Sequence, residues 1–442
     1  MLNLDERTLE KVARLVREHA RPVSLGRVLK VTGSILEAHV IGARIGDTVE
    51  IERTGGRFAG EVIGFRDNHA LIIPLSNVQG LAAGARVHAK AGSADLPVGD
   101  GLLGRAIDPF GHPIDGGAPI QCKVRAPIDR EAPALETRGP IAERLDTGVR
   151  VLDGLLTCGR GQRVGIFAGA GVGKTVLIRQ LASQCRADVT VVGLIGERGC
   201  EVQDLVGAGM RSRCVVVAAT SDRPPLERVR GARSATAVAE YFRDRGAHVM
   251  LILDSLTRYA MALREIGLAT GEPPATKGYP PSVFAALPRL LERVAPMRGG
   301  ASITGFYTVL VEGDDLADPV ADSARSLLDG HIVLSRDMAA RGHFPAIDVL
   351  ASASRVLQKV TTEAAQALMQ RARTLLALRR EAEELRSLGA YVPGASQPHD
   401  EALAKGRELD EWSRQAPTEC ADYDGAMQAL ARVLDGKAGP TR

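Results

Sequence analysis

Aromatic residues are scarce in this chain. Phe, Trp and Tyr make up 3% of its 442 residues, with a single Trp among them. Proteins that bind single-stranded nucleic acid stack the bases on aromatic side chains, and few such side chains are available here. The charges also nearly balance, because 56 Lys and Arg face 53 Asp and Glu, for a formal net charge of +3. Composition therefore argues against a nucleic acid as the partner.

Cysteine is sparse as well. The six cysteines show no C-x-x-C spacing and no nearby pair. This pattern predicts reduced, mostly buried thiols and argues against a disulfide framework or a zinc site. The nine histidines are scattered along the chain, and each is interpreted as a structural or surface residue.

Long apolar runs are missing too. No stretch approaches the roughly 18 apolar residues that a membrane span needs. The first residues, Met1 to Arg7, lack the basic-then-apolar order of a signal peptide. We therefore expect a cytoplasmic protein whose contact with a membrane, if it has one, is peripheral.

What is present is an ordinary globular composition, 45% hydrophobic and 25% charged. The length suggests about three domains. Residues 4–19 carry apolar side chains at helical spacing, which predicts a short amphipathic helix within residues 1–20. This helix either packs on its own domain or docks on a partner or membrane surface.

Residues 21–92 show a different period. Short β-rich runs are separated by glycine turns. These runs are 27–31, 35–40, 48–51, 61–65 and 70–73. About six such strands predict a small closed barrel, which leaves no sheet edge exposed. Because Phe58 and Phe65 are its only aromatic residues, the barrel is interpreted as an oligomerisation domain.

Residues 93–360 are predicted to form an α/β domain. Its first part, 97–140, is rich in Pro and Gly and is expected to be mostly irregular. Apolar strands then alternate with helices, which predicts a parallel sheet covered on both faces. The strand candidates are 164–167, 189–194, 214–219, 249–253, 302–309 and 331–334.

Residues 361–442 are predicted to form a helical domain. A long helix carries Ala364, Leu368, Leu375 and further leucines on one face. Gly389 and Pro393 follow it as helix-ending residues, and two more helices are expected before the C-terminus.

A glycine-rich stretch, 168–175, lies between the first of these apolar strands and a helical pattern. It fits the phosphate-binding pattern G-x-x-x-x-G-K-[ST], apart from Ala168 at the first position. Glycines let backbone N–H groups approach phosphate oxygens, and the following helix points its positive end at them. The predicted nucleotide-binding residues are Gly169, Ala170, Gly171, Val172, Gly173, Lys174, Thr175 and Val176. The alternative is a glycine-rich turn before an ordinary helix.

Two residues of this loop have distinct chemical roles. Lys174 supplies a mobile charge that can reach the β- and γ-phosphates of ATP. The hydroxyl of Thr175 can ligate the Mg²⁺ ion that bridges those phosphates. The loop by itself predicts binding of a nucleoside triphosphate.

Hydrolysis needs further groups, and two strand ends provide them. Glu197 follows the strand at 189–194 and is placed to polarise a water for attack on the γ-phosphate. Arg198 can hold the phosphate or pair with a neighbour. Asp254 ends the apolar strand at 249–253 and fits a role in the Mg²⁺ shell, with its contact to the ion made through water. The alternative for Glu197 is a surface carboxylate at a strand end.

The central part of the chain resembles the catalytic subunit of rotary F- and V-type ATPases, and more closely the ATPases of type III secretion and flagellar export. The resemblance implies a RecA-like ATPase domain with an N-terminal barrel and C-terminal helices. The matching stretches are 145–150, 196–199, 253–260, 278–284, 311–315, 329–336, 345–350 and 354–355.

The resemblance assigns roles that spacing does not. Arg355 matches the arginine finger that enters the neighbouring subunit's site, and Phe344 matches an aromatic residue that stacks on adenine. The alternatives are a local salt bridge for Arg355 and core packing for Phe344. A finger acting in trans implies a homohexameric ring, with ATP and Mg²⁺ as ligands.

The resemblance also implies partners: a central stalk, peripheral stator proteins, an export gate and chaperone–effector complexes. Residues 153–159 look more like the injectisome branch than the flagellar one. Cys200 and Lys277 stand where the family usually has arginine, and Cys200 affects the surroundings of Glu197.

The hypothesis is therefore an ATPase ring that releases chaperones and unfolds proteins for export. Flagellar export or a rotary catalytic subunit is the alternative within the family. Two rivals come from other classes: a non-catalytic ring subunit, disfavoured by Glu197, and an RNA-translocating hexamer, disfavoured by charge and aromatic content.

Overall fold

The computed structural model describes residues 24–90, 95–207, 212–311, 313, 315 and 317–435. The helix expected within residues 1–20 lies outside the described residues. The chain divides into two compact units. One unit comprises the chain up to Asp95 together with Pro224–Glu227 and Glu265–Pro273, and the other comprises the remainder.

The N-terminal strands form a closed barrel. They are β1 (Ser24–Thr32), β2 (Ile35–His39), β3 (Thr48–Arg53), β4 (Gly56–Arg66), β5 (His69–Pro74) and β6 (Arg86–Lys90), in the order β1-β2-β5-β4-β3-β6. Antiparallel pairing of β1 with β6 closes the ring. Alternate side chains face inward, such as Val49 and Ile51 of β3, and both are fully buried. The predicted barrel is confirmed.

The segment after the barrel contains short strands that the sequence did not predict. It contains β7 (Asp95–Val98), β8 (Arg105–Ile107) and β9 (Val124–Pro127), with single 3-10 turns at Asp100–Leu102 and Leu135–Thr137. β7 pairs with β9, and β8 joins the edge of the main sheet beside the strand Cys214–Ala219. Irregular stretches separate these short elements, so the expectation of a mostly irregular connection at 97–140 is confirmed. The strands themselves were not predicted, because such short strands carry no clear alternation.

The main sheet has eight strands in the described part of the chain, in the order β18-β17-β12-β16-β15-β13-β14-β8. Its remaining strands are β12 (Arg163–Ala168), β13 (Val189–Ile195), β14 (Cys214–Ala219), β15 (His248–Asp254), β16 (Ser302–Leu310), β17 (Gly330–Leu334) and β18 (Ile347–Ser354). A separate two-stranded sheet joins β10 (Arg144–Leu145) to β11 (Cys158–Gly159). The neighbours from β8 to β17 run parallel, whereas β18 runs antiparallel to β17.

Helices cover both faces of this sheet. They are α1 (Arg150–Leu155), α2 (Lys174–Gln184), α3 (Gly199–Gly207), α4 (Pro225–Asp244), α5 (Leu256–Ala269), α6 (Pro281–Leu291), α7 (Pro319–Leu327) and α8 (Arg336–Ala340), with a 3-10 turn at Thr276–Gly278. Every residue of β13 and β15 is buried. Such continuous burial is the reason that these strands read as unbroken apolar runs.

The C-terminal part is helical, as predicted. It contains α9 (Leu357–Val360), α10 (Glu363–Ser387), α11 (Gln397–Ser413) and α12 (Tyr423–Asp435). Thr362 caps α10 by accepting a hydrogen bond from the backbone N–H of Ala365 at 3.3 Å. The ring of Trp412 lies 2.7 Å from the position that a Cβ on Gly154 would occupy, so α1 can approach α11 only because residue 154 is glycine.

His248, at the start of β15, links folding to pH. Its ring is buried and its Nδ1 is hydrogen-bonded to Ser302 Oγ at 2.6 Å. Burial lowers the pKa of His248 from 6.5 to about 4. Since the unfolded chain takes up this proton near pH 6.5 and the folded chain does not, the contribution of neutral His248 to stability is complete above pH 6.5 and is lost as the pH falls towards 4.

We therefore expect His248→Asn to lessen the acid sensitivity of the fold. Between about pH 7 and pH 4 the wild type should lose about 3 kcal/mol more than this variant. The measurement is the thermal unfolding midpoint of both proteins across this pH range. Parallel curves for the two proteins would contradict the prediction.

None of the helices in the described part of the chain combines the length and apolar character that a bilayer crossing requires. All six cysteines are free thiols. Cys158, Cys185 and Cys214 are buried, whereas Cys200 and Cys420 are exposed.

Candidate active site

The glycine-rich loop connects the carboxyl end of β12 to the first residue of α2. Gly173 precedes α2 with φ +91°, and Gly171 has φ +78°. Side chains strain these left-handed conformations, so glycine is needed at both positions. The first N–H groups of α2 have no partner within the helix. They and the helix dipole therefore form an anion-binding site.

Three of the predicted residues meet beside this loop. Lys174 Nζ lies 2.5 Å from Asp254 Oδ1 and 3.4 Å from Glu197 Oε1. Asp254 is the last residue of β15, and Glu197 follows β13 by two positions. Because these are neighbouring parallel strands, their carboxyl ends lie side by side. The two carboxylates and the ammonium group thus form one buried cluster.

Burial and mutual attraction or repulsion shift the pKa values of Lys174 and Glu197 in this cluster. Burial disfavours the charge of Lys174, but Asp254 and Glu197 outweigh this effect and raise the pKa of the ammonium group. Burial, reinforced by Asp254, raises the pKa of Glu197 despite the attraction of Lys174. A carboxylate with a raised pKa accepts a proton more readily, which suits a general base.

Thr175 and Arg198 both contact a residue that the sequence did not single out. Glu201, on α3, lies 3.5 Å from Thr175 Oγ1 through its Oε2 atom. Arg198 Nε donates to Glu201 Oε1 at 2.6 Å, and the Arg198 side chain is 76% exposed. Of the two possibilities for Arg198, the structure shows pairing with a neighbour.

Thr308 is a second residue that sequence reasoning missed. It lies on β16, the strand between β12 and β15, and it is fully buried. Its hydroxyl donates to Asp254 Oδ1 at 2.6 Å. The only signal in the sequence is a threonine in an apolar strand, and the strand order is needed to place it beside Asp254.

Arg258 is a third such residue. The aliphatic part of its side chain lies 3.0–3.4 Å from the position that a Cβ on Gly196 would occupy. Its Nε is buried, and the described residues offer it no hydrogen-bond partner. A buried Nε atom without a partner, beside the glycine that precedes Glu197, is suited to bind a ligand anion. The sequence gives no local signal for it, because Asp254 ends a strand and Arg258 is the third residue of the helix that follows.

Phe344 lies against the phosphate loop. Its Cδ1 and Cε1 atoms are 3.2 Å from the position of a Cβ on Gly173. The residue is 40% exposed. It lines a small cavity with Val176, Gln180 and Pro417, among others. Part of the Phe344 ring is therefore open to a ligand next to the loop.

Arg355 is not brought to this cluster. It follows β18, and Ser354 pairs with Gly330 of β17, which pairs with Val164 at the start of β12. The phosphate loop begins after Ala168, at the other end of β12, about 13 Å further along the strand. Arg355 is exposed, and its Nη2 donates to the carbonyl oxygen of Arg325 at 3.3 Å. It therefore lies near the ends where the parallel strands begin, whereas its own phosphate loop lies where they finish.

The donor atoms at the loop suit a hard cation. The Thr175 hydroxyl and the Asp254 carboxylate offer oxygen, which Mg²⁺ prefers. Among the described residues, no group of three or more His, Cys, Asp or Glu side chains could hold a metal ion. Mg²⁺ commonly binds through one or two protein oxygens plus substrate phosphates, and the residues present fit that mode.

Three family models match the chain. The nucleotide-binding domain of the ATP synthase alpha/beta family matches residues 148–354, and the β-barrel domain of that family matches 28–90. The C-terminal domain of the type III secretion ATPase EscN matches 361–432. The flagellum-specific ATP synthase of Salmonella typhimurium is 50% identical over 426 residues, which cover 92% of this chain and 93% of the relative. The chain belongs to the ATP synthase alpha/beta family.

Its relatives in this family are export ATPases. The type 3 secretion system ATPase of Sinorhizobium fredii is 46% identical, with 92% of each chain covered. The assembled ATPase EscN from the type III secretion system of enteropathogenic E. coli matches with a TM-score of 0.88 and 40% identity, over 92% of this chain and 100% of that one. EscN in complex with its central stalk EscO matches with a TM-score of 0.85 and 40% identity, with the same coverage. The chain is thus an ATPase of the flagellar and type III secretion group.

Proposed function

We propose that this chain hydrolyses ATP as a subunit of a homohexameric ring that powers protein export through a type III secretion apparatus. The observation that carries the proposal is that its functional residues lie at the two opposite ends of the strands of one sheet. Lys174, Glu197 and Asp254 meet at the phosphate loop, whereas Arg355 lies at the opposite end. Half of each site would therefore come from a neighbouring copy.

Binding would begin at the phosphate loop. The N–H groups of residues 169–176 and the Lys174 ammonium group would hold the β- and γ-phosphates. An incoming γ-phosphate competes with Glu197 and Asp254 for Lys174. Once released from Lys174, the Glu197 carboxylate can accept a proton from a water aligned with the γ-phosphate, which makes that water a better nucleophile.

Mg²⁺ would be held by Thr175 directly and by Asp254 through water. When bound, it neutralises charge on the phosphate oxygens. Thr308 holds the Asp254 carboxylate through its 2.6 Å hydrogen bond to Oδ1, and this bond would orient Asp254 without the ligand.

Cationic and aromatic residues would complete the site. Arg355 of the neighbouring copy would stabilise charge on the transferring phosphate, and Arg258 is placed for a similar contact from within the subunit. Arg198 would leave Glu201 to reach the phosphate when ATP binds. Phe344 would stack on the adenine with the exposed part of its ring.

The wider assembly follows from the relatives. EscN forms an assembly and a complex with its central stalk EscO, and we extend ring formation and a stalk partner to this chain. Stator proteins, an export gate and chaperone–effector complexes would complete the apparatus at the cytoplasmic face of the inner membrane. The proposed domains are 1–20, 21–92, 93–360 and 361–442.

Two branches of the group compete for this chain. Residues 153–159 favour an injectisome. The flagellar relative from Salmonella typhimurium is 50% identical and the secretion relative from Sinorhizobium fredii 46%, so overall identity gives no preference for the injectisome. Flagellar export is therefore retained as the alternative, together with a rotary catalytic subunit.

The proposal is tested with the purified full chain. We expect Mg²⁺-dependent ATP hydrolysis whose specific activity rises with protein concentration as rings assemble, with no stimulation by RNA. Hydrolysis by a monomer at a concentration-independent rate would contradict the shared site. Stimulation by RNA would favour an RNA-translocating hexamer, and absence of turnover would favour a non-catalytic ring subunit.

A further inference from the structure

The segment between α11 and α12 lies against the nucleotide domain. Arg150, at the start of α1, donates through Nη1 to the carbonyl oxygens of Trp412 and Arg414 at 2.9 and 3.0 Å. The backbone N–H of Ala421 donates to the carbonyl oxygen of Gly148 at 3.1 Å. The C-terminal part of the chain is thus attached to the region just before the phosphate-loop strand.

Gln415 is at the centre of this attachment, and it is only 5% exposed. Its Oε1 accepts from the backbone N–H of Arg150 at 2.7 Å. Its Nε2 donates to the carbonyl oxygens of Gly148 at 2.8 Å and Glu419 at 2.7 Å. Both amide hydrogens and the amide oxygen are therefore in use. A carboxylate could not replace this amide, because it has no hydrogen to donate.

The backbone of Gln415 holds the residue proposed to stack on adenine. Its N–H donates to the carbonyl oxygen of Phe344 at 3.0 Å. A second attachment joins the preceding residues, since Ser413 Oγ is hydrogen-bonded to His343 Nε2 at 3.0 Å. The Phe344 ring meanwhile lies against Gly173 of the phosphate loop. The loop that carries Phe344 is therefore held by the segment 413–415.

We propose that Gln415 is a positioning residue that sets the orientation of Phe344, so that affinity for the base of the nucleotide depends on docking of the C-terminal segment. The proposal rests on the proposed contact of Phe344 with adenine. The phosphate groups are held by the loop and Lys174, which Gln415 does not touch. Loss of the Gln415 amide should therefore affect recognition of the base and leave recognition of the phosphates unchanged.

The test compares two ligands on the full chain. One is a non-hydrolysable ATP analogue with a β,γ-imido bridge, and the other is inorganic triphosphate, which has no base. We expect Gln415→Ala to weaken binding of the analogue roughly five- to tenfold and to leave triphosphate binding unchanged. In the Phe344→Ala background, Gln415→Ala should cause no further loss, because the ring that it positions is absent.

Gln162→Ala is the matched control. This glutamine is also buried, and its amide also makes three hydrogen bonds, with the backbone N–H of Gly159, the carbonyl oxygen of Asp329 and Ser354 Oγ. It lies near the opposite end of the strands, so its loss should leave the ratio of the two affinities unchanged. Ser413→Ala is a milder variant that removes only the attachment to His343, and it should produce a smaller loss that is also confined to the analogue.

The outcomes separate this inference from the proposed function. Equal weakening of both ligands in Gln415→Ala, or additive losses in the double variant, would overturn the positioning role. So would wild-type affinity in Gln415→Ala alongside a loss in Phe344→Ala, although the adenine contact would then stand. Wild-type affinity for the analogue in Phe344→Ala would overturn the adenine contact and the positioning role together.

Discussion

Arg355→Ala should slow ATP hydrolysis about a thousandfold, with ring assembly and ATP binding retained. The reason is geometric, because Arg355 lies at the opposite end of the strands from its own phosphate loop and, in the proposed role, would serve a neighbouring site. The measurements are kcat, ATP affinity and the size of the assembled particle. Arg245→Ala is a control. Arg245 is exposed, directly follows α4, and donates a hydrogen bond to the hydroxyl of Tyr241 in the last turn of that helix. The variant should behave as the wild type.

Mixing inactive variants tests action in trans directly. Arg355→Ala keeps an intact phosphate loop, and Lys174→Ala keeps an intact finger. In rings formed from equal amounts of both, about a quarter of the sites combine the intact halves. Activity should therefore recover towards that fraction of the wild-type value. No recovery in rings shown to contain both variants would contradict a shared site.

Glu197→Gln should remove most turnover, by about 10²- to 10⁴-fold, while ATP still binds. The amide matches the carboxylate in shape and can still accept a hydrogen bond from Lys174, but it does not take a proton from water. The measurements are kcat and the affinity for the non-hydrolysable analogue. Substantial residual hydrolysis by the purified variant would exclude Glu197 as the base.

Glu201→Gln is the matched comparison for this variant. Glu201 lies four residues further along the chain and pairs with Arg198 at 2.6 Å, but it does not contact Lys174 in the structure. The same chemical change there should cost much less turnover than it does at Glu197. Equal losses at the two positions would mean that the effect reflects the charge of the region and not a single base.

The residues of the phosphate loop could be predicted because their chemistry is local. Gly171, Gly173 and Lys174 are adjacent in the chain, and each has a reason to be where it is that needs no tertiary contact. Glu197 and Asp254 could be predicted because both follow apolar strands, and parallel strands bring their carboxyl ends to one edge. The structure places both carboxylates at Lys174.

Other residues depend on contacts that a linear pattern does not show. Thr308 reaches Asp254 only because β16 lies between β12 and β15. Arg258 packs against Gly196, the residue before Glu197, only because a glycine leaves room for its side chain. Gln415 comes from the C-terminal part and meets Phe344 across the fold. These residues could not be identified before the topology was known.

The prediction of secondary structure from the sequence failed where strands are short or lie at the edge of the sheet. β8 has three residues, too few to show a period. β18 alternates imperfectly in burial, and its pairing register with β17 shifts between His331 and Val333. Most barrel strands and the central strands were found because alternation or continuous apolar runs extend over four or more residues.

The reversed direction of β18 has a mechanical consequence. Phe344 precedes this strand and Arg355 follows it. One strand of eight residues, about 25 Å long, therefore has a residue with a proposed nucleotide contact near each end. With the proposed roles, one end touches the base in its own subunit and the other touches the phosphate in the next. A tilt of β18 that improves the contact at one end would displace the residue at the other end. Under these proposed roles, successive sites around the ring would be coupled to each other through a single strand.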